Sequence, residues 1–107
     1  MGDKFAVDID KVIHERARLL ILSYLASNSG KKIQFNELKE SLSFTSGNLS
    51  VQLKNLEEVK YIKIHKRIKD NKPQTSVSLT PEGLKALKEY LKVMEDLIKT
   101  VNNQEDN

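Results

Sequence analysis

The chain contains no cysteine. That excludes disulfides, thiolate zinc sites and thiol catalysis, and it leaves the redox compartment open. No apolar run approaches the ~18 residues of a membrane span. The opening stretch MGDKFAVDID is acidic and too short in apolar length for a secretory signal, so the expected location is cytoplasmic, with no membrane partner. No repeat, low-complexity tract or splitting linker interrupts the chain. Enzyme signatures are missing too: there is no glycine-rich phosphate loop, no nucleophile motif and no pair of acids at helical spacing against a cleft. His14 and His65 stand far apart, and no acid cluster completes a ligand set around either. Neither catalytic residues nor a metal or cofactor is expected.

What remains is a chain of 107 residues, 38% hydrophobic and 31% charged, which suits one globular domain with a modest core. The net charge of +3 says little, but its placement says more. Residues 43–78 hold seven bases (Lys54, Lys60, Lys63, Lys66, Arg67, Lys69, Lys72) against three acids (Glu57, Glu58, Asp70). The remainder holds 11 bases against 12 acids. Positive charge gathered in one third of the chain is what an electrostatic footprint on phosphate requires, and equally what a solvated basic hairpin shows.

Hydrophobic spacing predicts a first helix over about Ile9–Ala26, with Asp8 as N-cap and Val7 and Val12 as a staple. Ile13, Ala17, Leu20 and Tyr24 form one apolar stripe, and Val12, Leu19, Leu22 and Ala26 part of a second. One side can face a core, while the other needs a further partner. Asn28-Ser29-Gly30 ends the helix. A very short strand is expected within Lys31–Gln34, and a second helix over Phe35–Leu42 with Phe35, Leu38 and Leu42 inward. After a tight turn at Ser43-Phe44, a third helix runs from its cap Thr45 to about Val59, with Leu49, Leu53 and Leu56 inward. Ile62, Ile64 and Ile68 keep the period of a half-buried strand over residues 61–68. Asp70-Asn71-Lys72-Pro73 is turn chemistry, and a second strand follows over residues 75–79 with Val77 and Leu79 inward. Thr80-Pro81-Glu82 starts the last helix, which reaches about Val101. Leu84, Leu87, Leu91, Met94, Ile98 and Val101 form a heptad seam along it. The tail, residues 102–107, has no apolar anchor and reads as disordered. The expected fold is α+β, mainly helical: a winged helix-turn-helix with a two-stranded β-wing and a long C-terminal helix, forming a single domain over residues 1–101.

The segments IHERARLLILSYL, FNELKESLSFTSGNLSVQLKNLEE, YIKI and TSVSLTPEGLKAL carry a resemblance. Together they are similar to winged-helix transcriptional regulators related to the MarR and ArsR families, most of all a small archaeal and bacterial group with a GNLS recognition helix. The similarity covers roughly residues 5–100. It implies sequence-specific DNA binding, homodimerisation and transcription control, with no catalytic activity. Three departures stand out. Val51 and Gln52 replace a bulky basic residue and a histidine, Val59-Lys60 replaces Ala-Gly, and Ser43 stands where glycine is frequent. The metal-binding cysteines of the ArsR sensors are absent.

With Leu49, Leu53 and Leu56 inward, the outward face of the third helix carries Gly47, Asn48, Val51, Lys54 and Asn55, with Ser50 at the flank. Asn48 and Asn55 can pair with adenine, Val51 can touch a thymine methyl, and Ser50 can reach base or phosphate. Thr45 and Ser46 stand at the helix N-terminus, where free N–H groups favour a phosphate and Gly47 lets the backbone approach. The wing, residues 62–79, would set Lys66, Arg67, Lys69 and Lys72 on phosphates or in the minor groove. Val12, Leu19, Leu22, Leu87, Leu91, Met94, Ile98 and Val101 are the candidate dimer interface. Arg18 is expected to serve the structure, inside a dimer or behind the reading helix. The expected partners are double-stranded DNA and a second copy of the chain, with room for a small-molecule effector that no residue identifies. Two other readings stay open: a protein-interaction winged helix, and an architectural DNA binder with little sequence preference.

Overall fold

A computed structural model describes residues 8–28 and 30–105. Its elements run α1 (Arg16–Ser27), β1 (Ile33–Gln34), α2 (Phe35–Ser41), α3 (Ser46–Glu58), β2 (Ile62–Lys69), β3 (Lys72–Leu79) and α4 (Pro81–Glu105). The three strands form one antiparallel sheet in the order β1-β3-β2. Type and order match the sequence-based expectation, and the differences lie at boundaries.

The first helix begins seven residues later than its apolar spacing predicts, because two acids divide the segment. The Asp10 carboxylate accepts from the Val12 and Ile13 amides at 2.9 and 3.2 Å, and its carbonyl accepts from His14 N–H at 2.9 Å, closing a separate turn. Glu15 then adopts an extended backbone and caps α1 by accepting from Ala17 N–H. Asp8 therefore does not cap the helix. Val7, expected to staple against Val12, lies outside the described residues, as does Ser29. Gly30 is left-handed, with φ 73°.

One core gathers Ile13, Ile21, Leu22, Leu25 and Leu38 with Leu49, Leu53, Leu56, Ile62, Val77 and Leu87. Ile21 and Leu25 lie at its centre, while Leu20, placed inward by spacing, is half-buried. In LLILSYLA nearly every position is apolar, so periodicity alone underdetermines which stripe faces in. Leu22 and Leu87, expected between subunits, are buried within the chain itself and leave the candidate dimer interface. Val12 and Leu19 are half-buried against the core.

The hairpin is longer than expected. Asp70 and Asn71 both have positive φ, 52° and 62°, which is the two-residue turn that suits strand twist. Lys72 and Pro73 consequently belong to β3 rather than to the turn. Pro73 lacks an N–H, but β1 reaches β3 only at Ser76 and Val77, so no neighbour on that side needs one. Ile68, expected inward, is 77% exposed because the hairpin tip extends past the core.

Gly83 shows why α4 starts where it does. Thr80 Oγ1 accepts from Gly83 N–H at 2.9 Å and donates to the Lys60 carbonyl at 2.7 Å. A Cβ on Gly83 would lie 2.1 Å from the Tyr61 carbonyl oxygen, so only glycine admits this approach. From there α4 continues to Glu105, four residues past the last seam position, so residues 102–105 are helical rather than a tail. Once nucleated, a helix extends at little expense per residue. At 1.5 Å per residue its 25 residues span about 37 Å. The described residues measure 64 × 24 × 23 Å as a result.

Candidate nucleic-acid interface

Leu49, Leu53 and Leu56 anchor α3 in the core, which fixes the opposite face outward. The cap is Thr45, whose Oγ1 accepts from Asn48 N–H at 3.1 Å. Thr45, Ser46, Gly47, Asn48, Ser50, Val51 and Lys54 are all exposed, and Asn55 is half-buried. Val51 is 57% exposed, an apolar side chain turned largely to solvent. A Cβ on Gly47 would meet no atom within 4 Å, so the fold itself does not require glycine there. Glu57 and Glu58 lie at the far end of the helix, and Glu57 Oε2 accepts from Ile64 N–H at 3.2 Å, tying α3 to the wing.

One residue of this face escaped the sequence reading. Arg18 donates from Nε to the Val12 carbonyl at 2.6 Å and from Nη1 to Gln52 Oε1 at 2.9 Å. Gln52 Nε2 in turn donates to Asn48 Oδ1 at 3.2 Å. The Asn48 amide is thereby held in one orientation, with both its N–H groups and one oxygen lone pair still available. Arg18 thus buttresses the reading helix, one of the two structural roles expected of it. The available signal was the one-turn spacing of Asn48 and Gln52, but nothing in the sequence marks their link to α1.

The wing cations divide between two faces. Register pairs Lys66 with Thr75, Arg67 with Gln74 and Lys69 with Lys72. Side chains alternate along a strand, so Lys66 shares the α3-side face of Ile62 and Ile64, while Arg67, Lys69 and Lys72 occupy the other. Between α3 and the wing runs a groove of about 540 Å³, where Ser50 and Lys54 face Lys66 and Thr75. The wing cations have no acidic partner among the described residues, whose ion pairs all lie on α4. At the wing's base, Tyr61 donates to Asp10 Oδ2 at 2.6 Å. That bond, then burial and the Asp10 charge, push the phenol up to about 12. His65 titrates below its ordinary value because of burial and of Lys32 and Lys63. Among the described residues no group of three or more His, Asp or Glu could hold a metal, and no helix is long and apolar enough to cross a membrane.

A helix-turn-helix whose second helix presents an exposed polar face, next to a basic hairpin, defines a DNA-binding winged-helix transcriptional regulator. The chain belongs to the winged helix DNA-binding domain family, whose family model matches residues 17–98. It is 32% identical over 91 residues to an uncharacterized protein from Methanocaldococcus jannaschii, covering 85% of this chain and 97% of that one. Among solved structures it is similar to a transcriptional regulator homologue from Pyrococcus horikoshii, with a TM-score of 0.80, 25% identity and 94% of each chain covered. It also shares its fold with a single-substitution variant of S. aureus MepR bound to an oligodeoxyribonucleotide. That match has a TM-score of 0.70 and 21% identity, and covers 89% of this chain and 71% of that one. The resemblance to regulators of the MarR type, read from the GNLS and LTPEG segments, holds.

Proposed function

We propose that this chain reads specific double-stranded DNA sites as a cytoplasmic homodimer and thereby controls transcription, without catalytic activity. The observation that carries the reading is the α3 face. It is exposed, it is polar apart from Val51, its acids stand only at the far end, and its Asn48 is already oriented by Gln52. Such a face, inserted N-terminus first, offers amides to adenine and a valine to a thymine methyl in the major groove. Thr45, Ser46 and the α3 N-terminal amides meet a phosphate. Lys54 and Lys66 flank the groove beside α3, and Arg67, Lys69 and Lys72 extend the contact along the backbone or into the minor groove. The oligodeoxyribonucleotide complex of the S. aureus MepR variant supports DNA binding as a use of the shared fold.

The dimer is supported by α4. Leu91, Ile98 and Val101 are 48%, 59% and 50% exposed on one seam, with Met94 half-buried between them. With Val12 and Leu19 they form the face a second copy would cover, placing two α3 helices about 34 Å apart on a pseudo-palindrome. A cavity of about 850 Å³ between residues 8–11 and α4, bordered by Ile9, Glu89, Tyr90 and Val93, gives an effector room to bind.

The test is selection from a random duplex pool at two salt concentrations, with sequencing of the bound fraction. A two-fold symmetric motif, with binding that weakens steeply in salt, is the expected result. Salt-dependent binding without a motif would replace this reading with an architectural one. Absence of binding at low salt would leave a protein-interaction module.

A further inference from the structure

The wing sheet turns its two sides to different chemistry. Ile62, Ile64 and Val77 point to the core side. On the other side β2 contributes Lys63, His65, Arg67 and Lys69, and β3 contributes Lys72, Gln74, Ser76 and Ser78. These eight positions include no acid and no apolar residue. Gln34 of β1 joins them opposite Ser76. Within this face lies a cavity of about 220 Å³ lined by Lys32, Gln34, His65, Arg67, Gln74 and Ser76. That is below the ~300–1,000 Å³ usual for drug-sized ligands, and it suits a small polar group.

Two observations bear on what the cavity could hold. Neither Lys32 nor Arg67 has an acidic partner among the described residues, so like charges stand together uncompensated. His65 on the same wall is held below its ordinary value by burial, then by the charges of Lys32 and Lys63. In addition, Gln74 Oε1 is buried with no hydrogen-bond partner among the described residues. The reverse orientation of that amide, which exchanges its oxygen and nitrogen, would present N–H donors instead.

We propose that this cavity is a phosphate-binding site, held by Arg67 and Lys32 with Gln34, Gln74 and Ser76 as neutral donors. It lies on the opposite side of the sheet from the α3 groove and shares Arg67 with the wing contact proposed above, so its duplex source rests on that reading. The Arg67 fork matches two phosphate oxygens, and Lys32 supplies a point charge. Two sources carry this chemistry: a backbone phosphate of duplex lying beyond the α3 footprint, or a small phosphorylated molecule.

The experiment uses the full chain and inorganic phosphate, with the ring protons of both histidines followed by NMR across a pH titration. Phosphate is compared with chloride at matched ionic strength. The His65 pKa is expected to rise by about 0.5 or more in phosphate, as an added anion favours the imidazolium. His14, which hydrogen-bonds Tyr90 on α4 at 2.9 Å, is the internal control and should not move. Lys32→Gln and Arg67→Gln, both at exposed positions, should each abolish the phosphate-dependent rise while thermal melting stays unchanged. An equal rise in chloride, or a rise that survives both substitutions, would overturn the site. Duplex binding by Lys32→Gln then separates the sources. A salt slope reduced by about 0.9 identifies a backbone phosphate. An unchanged slope, with the NMR effect intact in the parent protein, identifies a free phosphorylated ligand.

Discussion

Asn48 is held by Gln52, and Gln52 by Arg18, so a base-reading amide on α3 is oriented from α1. Removing the middle member should therefore loosen reading without touching the wing. Gln52→Leu is expected to reduce discrimination at the base pair that Asn48 contacts, while the salt slope of binding stays as in the parent. Asn48→Ala should lose about 1–3 kcal/mol of discrimination at the same pair, and a competition assay with single-base variants measures both. If Gln52→Leu instead weakens all sequences equally, the amide needs no orienting. A second residue-scale prediction concerns the backbone. Lys60 has φ 66° and Ser43 φ 58°, a region that L side chains occupy at an energetic penalty. Both are positions where the family resemblance leads one to expect glycine. Lys60→Gly should stabilise the fold by about 0.5–1 kcal/mol, since relief of left-handed strain exceeds glycine's entropy loss. The readout is a Tm raised by several degrees, and an unchanged or lower Tm would show the strain to be absent. The candidate contact residues of α3 were legible because a Leu-x3-Leu-x2-Leu stripe fixes which side is out. Gln52 was not legible as a positioning residue, because its partner lies 34 positions away.

At the scale of elements, caps and turns decided what apolar spacing left open. The spacing of Ile13 with Ala17 and Leu20 is compatible with an earlier helix start, yet Asp10 and Glu15 each bind nearby amides and divide the segment. The wing's existence was clear from alternation and from Asp70-Asn71, whereas its reach past the core depends on where the helices end beneath it. Gly47 offers a test of the α3 element. Nothing in the free fold crowds a Cβ there, so Gly47→Ala should stabilise the free protein by up to about 1 kcal/mol. The same substitution should weaken DNA binding, because the added methyl stands where backbone meets phosphate. Unchanged affinity would remove Gly47 from the interface. The join between the N-terminal turn and the wing is testable by pH. Tyr61 titrates at about 12 in the fold against an ordinary 10.0, so between those values the unfolded chain loses its proton first. Stability should thus be intact below pH 10 and decline toward pH 12. Tyr61→Phe should flatten that part of a denaturation-midpoint profile, and an equal decline in the variant would place its cause elsewhere.

For the whole molecule, the radius of gyration is 16.6 Å, whereas a compact domain of this length has about 13 Å. The excess is α4, whose inner turns bury Leu87 and Tyr90 and whose outer turns present Leu91, Ile98 and Val101. Exposing this seam in water is unfavourable by roughly 25 cal/mol per Å² of apolar surface, and a second copy would relieve it. Sedimentation should show a dimer for the parent chain and a monomer for Leu91→Glu combined with Ile98→Glu. The variant should keep its circular dichroism spectrum, because neither side chain packs in the core. A monomeric parent would refute the dimer. The sequence by itself determined the element types, their order and the outward face of α3, because these follow from local spacing, capping and turn chemistry. Only the tertiary structure decided that Leu22 and Leu87 belong to the chain's own core, that Ile68 overhangs it, that Gln52 joins α1 to Asn48, and that basic residues enclose a cavity behind the wing. Each of these depends on which distant segments meet, and a one-dimensional pattern carries no information about the far side of a contact.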